Sequence, residues 1–440
     1  MEYKKMGQNF FKEKIKVLKL KNGLNIVFFE KHDLPIVNVN LWLKVGSKDE
    51  TIKNSGISHF LEHILFKNTK NYPNNSISKE IENIGGQMNA ATSYDFTHYY
   101  ITLHSNDVEK AFSVISDMAF NLEIEKEGFE MEKGVILEEI QMYKDHPTSV
   151  LWEEIYKNFF GIKNFVYERP IIGTKKNILR MTKEDLKDYY DENYIPENMT
   201  LFVAGNLKMD DLEKLSRKHF DIKKNSIEKV KNIQDFHLNS SDVCKNFISN
   251  EKIMDTINQT YFSYTWNAPN ISNLDDFVAV SAFSKILGEG ISSKLHKTLK
   301  QDLNLVWTIC SGIAEQKYGS VFAIYGTAEY KNLDKIELEI FNLLSNLEKD
   351  IIQDDLLKVK TIADFNFFLD FETMADISDN LGYFEVMKDW RLFFELKEKT
   401  NNLKLQDILY AKDLIFGKIN KINKTEKFFL RQIVRPKNLE

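Results

Sequence analysis

The sequence feature that most constrains the fold is one short run near the N-terminus, Ser58-His59-Phe60-Leu61-Glu62-His63-Ile64-Leu65-Phe66. On an α-helix of about 3.6 residues per turn, His59, Glu62 and His63 project from one face as neighbours. Two neutral imidazoles at this spacing can bind one Zn²⁺, and the carboxylate beside them can take a proton from water activated by the metal. The order His-x-x-Glu-His is the inverse of the commoner zinc-peptidase helix.

The same run is compatible with a buried helix whose histidines bond to backbone carbonyls. A lone histidine among apolar residues would favour that interpretation. The chain has only nine histidines in 440 residues, so the full five-residue pattern seldom arises by chance. We therefore favour the metal site.

A catalytic zinc site needs a third protein ligand and one open position. Residues 125–144 are predicted to form a long helix rich in glutamate. Glu132 and Glu139 lie two turns apart along one face of that helix, whereas Glu138 is rotated by about 100° from Glu139. This phase favours Glu139 as the ligand and Glu132 as a residue that orients the site. A solvated acidic face is the other interpretation, and phase alone does not exclude it.

Length and composition indicate a soluble globular protein of about two to three domains. Hydrophobic residues make up 43% and charged residues 28%, which is far from the range of disordered chains. A net charge of -6 gives no basic field, so we expect no nucleic-acid partner. Cys244 and Cys310 are too far apart to suggest a disulfide framework, and they favour free thiols. Without a signal peptide or an apolar run of about 18 residues, we expect a cytoplasmic protein that does not enter membranes.

Strand and turn patterns in the first half predict a mixture of strands and helices. The Asn-Gly step at 22–23 predicts a hairpin, and residues 36–45 alternate as a strand. Residues 87–93 are small and polar enough for a strand at a sheet edge, to which an extended peptide can add. An ordinary blunted edge is the alternative. His98 and His104 lie on the following strand, where we expect structural or surface roles.

The run at 223–241 is rich in lysine, asparagine and serine and is the predicted linker. It divides the chain into a metal-bearing catalytic half, 1–222, and a second half, 242–440, which lacks the metal motif. Both halves mix antiparallel-type strands with helices, so the predicted fold class is α+β.

Three segments resemble the pitrilysin/insulinase-type inverzincin peptidases, in the branch of the mitochondrial processing peptidase β-subunit and its bacterial relatives: Gly56–His63, Gly85–Ala90 and Glu132–Ile140. The resemblance implies that Glu139 is the third zinc ligand, that Glu132 supports the site and that Glu62 is the general base. It also implies two similar α/β-sandwich halves, each a sheet with helices on one side, closing around a chamber.

The resemblance further implies a substrate class and a partner. Short peptides or unfolded protein segments fit a closed chamber, and the partner is a related chain or a second copy, in a heterodimer or homodimer. Asn89 and Ala90, on the predicted edge strand, would align the substrate as an added strand.

The second half departs from the family at two positions. Where the family commonly has an arginine and, seven residues later, a tyrosine that reach the substrate, this chain has Lys300 and Trp307. Lysine lacks the planar guanidinium fork, and indole donates one N–H without a phenol oxygen. These residues either contact substrate less effectively or simply pack in the fold.

The sequence therefore predicts a zinc-dependent endopeptidase in which His59, His63 and Glu139 hold one Zn²⁺ and Glu62 acts as general base. The alternative is a catalytically weak or inactive scaffold or peptide-binding subunit of a two-chain processing peptidase. The complete His-x-x-Glu-His motif favours the enzyme, and the residues at 300 and 307 favour the alternative.

Overall fold

A computed structural model describes residues 11–222, 233–236, 247–417, 419–420, 424–425 and 427–438. The predicted linker at 223–241 falls almost wholly outside these ranges. The described residues form two compact units. Unit 1 is drawn from residues 1–140, 169–231 and 367–395, and unit 2 from 141–168, 232–366 and 396–440.

The described strands are Ile15–Lys19 (β1), Asn25–Glu30 (β2), Ile36–Leu43 (β3), Gln87–Thr92 (β4), Thr97–His104 (β5), Met199–Gly205 (β6), Phe247–Met254 (β7), Thr260–Ala268 (β8), Val306–Ala314 (β9), Ser320–Ala328 (β10), Ile419–Asn420 (β11), Lys424–Thr425 (β12) and Phe429–Pro436 (β13). The α-helices in the same ranges are Ile57–Leu65 (α1), Ser76–Glu82 (α2), Val108–Phe120 (α3), Lys126–Asp145 (α4), Pro147–Phe160 (α5), Lys175–Arg180 (α6), Lys183–Asn193 (α7), Met209–Phe220 (α8), Leu274–Gly288 (α9), Leu333–Asp350 (α10), Gln353–Leu369 (α11), Met374–Met387 (α12), Leu392–Asn402 (α13) and Leu405–Phe416 (α14).

Unit 1 contains a six-stranded sheet in the order β1-β2-β6-β3-β5-β4. Strands β2 and β6 are parallel and the other neighbours are antiparallel. The turn between β1 and β2 contains the Asn-Gly step at 22–23, and Gly23 has the positive φ of 98° that such a turn uses. Strand β4 is the last strand of the sheet, so the prediction of an edge strand at 87–93 is confirmed.

The two faces of this sheet are buried in two separate hydrophobic clusters. Along β2, Ile26 and Phe28 face one cluster, which includes α1 and α3, whereas Val27 and Phe29 face the other. The second cluster is completed by Phe371 and other apolar residues of the 367–394 segment. Strand β2 is therefore buried on both faces, which explains its unbroken apolar sequence.

The second face also carries buried polar side chains under α12. Asn40 Nδ2 donates to Asp379 Oδ1 at 2.7 Å, and the Ser378 hydroxyl donates to Asn38 Oδ1. Each buried amide thus finds a partner on a helix more than 330 positions later in the sequence.

Unit 2 contains a five-stranded sheet in the order β7-β13-β8-β10-β9. Its one parallel pair is β7 and β13, and β9 is an edge strand, so its order matches β2-β6-β3-β5-β4 of unit 1. On one face, Trp266 packs against Phe416 of α14. Tyr325, on the opposite face, packs against Trp152 of α5.

The α+β class and the similarity of the two halves are confirmed. In addition to the helices expected on one side, each sheet takes a helix on its other face, α12 in unit 1 and α5 in unit 2. The two units exchange segments, because residues 367–395 group with unit 1 and residues 141–168 group with unit 2. The division into halves at 1–222 and 242–440 stays a prediction.

Candidate metal centre

Helix α1 begins where the side chain of Glu50 accepts hydrogen bonds from two of its backbone amides. Gly56 N donates to Glu50 Oε2 at 2.8 Å and Ser58 N donates to Glu50 Oε1 at 2.9 Å. These amides have no partner within a helix, so the carboxylate replaces a cap residue. Burial raises the pKa of Glu50 to about 8, although both amide bonds favour its ionised form. The apolar residues of α1, including Phe60 and Leu61, are fully buried, which leaves the opposite face for the polar side chains.

The loop at 169–174 fixes the same end of the helix. Arg169 donates to the backbone carbonyl of Glu50 at 3.1 Å. Gly56 and Gly173 both have positive φ, and their backbones approach so closely that a Cβ on Gly173 would lie 2.4 Å from the carbonyl oxygen of Ser55. Both positions therefore require glycine.

The three predicted ligands lie together on α1 and α4. His59 Nε2 is 3.7 Å and His63 Nε2 is 3.5 Å from the same oxygen of Glu139, and ligand atoms of all three lie within 4.8 Å of one another. A tetrahedral zinc with ligands at about 2.1 Å separates its ligand atoms by about 3.4 Å. The group therefore fits a zinc ion with little rearrangement. Among the described residues, it is the one cluster of three or more His, Cys, Asp or Glu side chains able to hold a metal.

The shifted pKa values of these three residues are compatible with binding a cation. Burial, together with the neighbouring His63, lowers the pKa of His59 to about 4, so this imidazole is neutral and free to ligate at neutral pH. The pKa of His63 rises to about 9, because hydrogen bonds to Glu132 and Glu139 outweigh the opposing effect of burial. His63 lowers the pKa of Glu139 in turn. Without a metal, His63 holds a proton at the position that a divalent cation would take.

Glu132 lies behind the ligands and contacts His63 directly. Its Oε2 is 3.0 Å from His63 Nδ1, and its other oxygen pairs with Lys67 Nζ at 2.8 Å. Burial opposes ionisation of Glu132, but these two partners lower its pKa. A carboxylate on the far ring nitrogen fixes the orientation of a ligating histidine.

Glu62 is half-buried on the same face of α1. The Thr92 hydroxyl, on β4, donates to Glu62 Oε2 at 2.5 Å. Burial raises the pKa of Glu62, and this hydrogen bond opposes the rise. A carboxylate with a raised pKa next to a metal position is suited to accept and return a proton.

Asn89 and Ala90 lie on the edge strand β4, paired on one side with Tyr100 and Tyr99 of β5. The Asn89 side chain is exposed. Its Oδ1 accepts a hydrogen bond from the backbone N–H of Ala90 at 2.9 Å.

Lys300 and Trp307 belong to unit 2. Lys300 is exposed in a π-helical turn, His296–Asp302, and Trp307 lies on the edge strand β9 with 45% of its surface exposed. Trp307 is therefore not a core residue, and the expectation that both contact substrate stays a prediction.

Three contact residues of the site had not been singled out from the sequence: Glu50, Lys67 and Thr92. Lys67 falls four residues after His63, so helical spacing could have suggested it. Thr92 lies three residues after Asn89 on the predicted edge strand, and no local pattern links it to Glu62.

The fold and the ligand group are those of zinc peptidases with the inverted His-x-x-Glu-His helix. Two family models match in succession, one described as insulinase (peptidase family M16) at residues 26–175, the other as peptidase M16 inactive domain at residues 180–362. The chain belongs to the M16 insulinase family. The inactive-domain match agrees with a second half that lacks the metal motif.

Relatives support this assignment along more than nine tenths of the chain. An uncharacterized zinc protease of Rickettsia felis is 28% identical over 414 residues, covering 93% of this chain and 96% of the relative. The β-subunit of the mitochondrial processing peptidase of Blastocladiella emersonii is 34% identical over 207 residues, covering 47% and 44%. The crystal structure of a protease from Helicobacter pylori superimposes with a TM-score of 0.83 at 25% identity, covering 96% of this chain and 99% of that one. No described helix is long and apolar enough to cross a membrane.

Proposed function

We propose that the protein is a zinc-dependent endopeptidase that hydrolyses peptides or unfolded segments. The observation that carries the proposal is the convergence of His59, His63 and Glu139 beside the carboxylate of Glu62. When bound there, Zn²⁺ supplies a Lewis acid that polarises the scissile carbonyl and increases the acidity of water.

The chain's own residues account for the remaining chemistry. Glu62 accepts a proton from the attacking water and then returns it to the nitrogen of the leaving peptide. Its raised pKa suits both transfers, because the group must gain and lose the same proton within one turnover. Glu132 keeps the His63 ring in the orientation that presents Nε2 to the metal.

Strand β4 is the proposed substrate platform. Its outer edge has no neighbouring strand within the described sheet, so an extended peptide can add there by backbone hydrogen bonds. Because Asn89 already accepts from the Ala90 amide, an incoming peptide carbonyl would replace the Asn89 side chain as acceptor. On the family resemblance, Lys300 and Trp307 are proposed as substrate-contacting residues, and a related chain or second copy is the proposed partner.

The test combines metal analysis with cleavage of a quenched-fluorescent unfolded peptide. The wild type should carry about one zinc per chain and cleave. Glu62→Gln should keep zinc and lose at least about 100-fold in kcat, the lower range for general-base catalysis. Glu138→Gln is the matched control, because Glu138 is an exposed glutamate next to the third ligand on α4. This variant should retain both zinc binding and cleavage.

Two results would contradict the proposal in different ways. If zinc binds but the wild type cleaves nothing, alone or with a related chain, the protein is a scaffold or peptide-binding subunit. If no zinc binds under replete conditions, the ligand assignment is wrong.

A further inference from the structure

We infer that Thr92 is a positioning residue for the general base, an inference that rests on the proposed peptidase function. The Thr92 hydroxyl donates to one carboxylate oxygen of Glu62, Oε2. This contact joins the substrate platform β4 directly to the base on α1.

The position of Thr92 is set by pairing at the end of β4. Thr92 stands opposite Thr97 of β5, and Ser93 N donates to Phe96 O at 2.8 Å to close the hairpin. Ala90 and Met88, two and four residues earlier on the strand, pack against the core of unit 1. The alternation of a strand directs Thr92 to that same face, toward α1.

A second loop holds the tip of this hairpin. Ser47 N and Lys48 N donate to the carbonyls of Ser93 and Tyr94 at 3.1 and 3.0 Å. A Cβ on Gly46 would lie 2.5 Å from the carbonyl of Ser93, so the two loops are in direct backbone contact. The backbone that carries the Thr92 hydroxyl is thus rigid, since three backbone hydrogen bonds at the hairpin tip and the strand pairing fix it.

This rigidity matters because a glutamate side chain has three rotatable bonds and several staggered orientations. One fixed hydroxyl removes most of that freedom by holding Oε2, and the bond does not involve Oε1. We infer that Oε1 is the oxygen that exchanges the proton with water and with the leaving nitrogen. Misplacing a reacting group by about 1 Å can cost on the order of 100-fold in rate.

The inference predicts a defect in kcat without a defect in zinc binding. Thr92→Val keeps the shape of the side chain but removes the donor, and should lower kcat about 10- to 100-fold with zinc content and KM near wild type. Thr92→Ser restores a hydroxyl and should recover most of the activity. Thr97→Val is the matched control, because the Thr97 hydroxyl donates to the Val45 carbonyl at 3.0 Å and not to Glu62.

Each outcome is decisive. Wild-type kcat in Thr92→Val, an equal loss in Thr97→Val or a loss of zinc would overturn the positioning role. If Thr92→Val does not fold, Thr92→Ala and Thr92→Ser provide the same comparison without added bulk. A wild type that binds zinc but cleaves nothing would instead refute the proposed function, so the two failures are distinguishable.

Discussion

His98 should make the stability of unit 1 depend on pH in the acidic range. It is a buried residue of β5 on the face of the sheet covered by α12, where its ring stacks on Trp42 at 4.2 Å and Nδ1 lies 3.3 Å from Asn40 Oδ1. Burial lowers its pKa to about 4. The ordinary value is about 6.5, so the unfolded chain binds a proton between these limits and the folded chain does not.

The direction and size of this pH dependence follow from the difference between the folded and unfolded pKa values of His98. Because the unfolded state binds more protons, the free energy of unfolding falls as the pH drops through the window from about 6.5 to about 4. The loss is about 2 kcal/mol between pH 7 and pH 5, and about 3.4 kcal/mol across the whole window. Asp379 Oδ1 lies 3.6 Å from His98 Nδ1, but burial raises the pKa of Asp379 to about 6, so little negative charge remains there at pH 5 to stabilise an imidazolium.

The assay is urea unfolding of the metal-free protein at pH 7 and pH 5, comparing the wild type with His98→Gln. The glutamine is neutral at both pH values and retains an amide donor for Asn40. Between pH 7 and pH 5, the free energy of unfolding of His98→Gln should fall by about 2 kcal/mol less than that of the wild type. His104→Gln, at the exposed end of the same strand, should behave as the wild type. Equal pH dependence in the wild type and His98→Gln would refute the reasoning.

Four further predictions concern the metal and two helical glycines. Glu132→Gln should weaken zinc binding about 10- to 100-fold, measured by chelator competition, because His63 loses its charged partner. Removing zinc with a chelator should abolish cleavage and lower the unfolding temperature, and added zinc should restore both. Gly382→Ala should destabilise the protein to urea by about 1–3 kcal/mol, because the new Cβ would lie 2.2 Å from Trp42 Nε1. Gly134→Ala, an exposed position of α4 with no atom within 4 Å, should instead stabilise it by about 0.5–1 kcal/mol.

The clustering of the candidate metal ligands was predictable because its geometry is mostly local. His59, Glu62 and His63 fall within about one helical turn, so their arrangement follows from the helix alone. The choice of Glu139 over Glu138 depended on helical phase and on the family resemblance, and in the structure Glu139 approaches both histidines. The bond from Thr92 was not predictable, since it depends on how a sheet edge meets a helix 30 residues away in sequence.

The exchange of helices between the two units could not be predicted from the sequence either. The alternation around Asn38 and Asn40 indicates a strand but does not identify what covers its polar side. The structure supplies Ser378 and Asp379 there, over a separation that no periodicity reports. For this reason the sequence did not predict the additional helix on the second face of the sheet.

The exchanged helices have a consequence for synthesis on the ribosome. When β6 leaves the exit tunnel, every strand of the first sheet exists, but Trp42, Phe202 and their neighbours still lack the segment 367–394 that covers them. At about 5–20 residues per second, synthesis of the segment that covers this apolar face is completed roughly 10–40 s later. During this interval the exposed apolar face makes the nascent chain prone to aggregate and a substrate for chaperones. Completion of unit 1 is therefore tied to translation of most of the chain, so truncated products should lack the segment that covers the second face of the sheet.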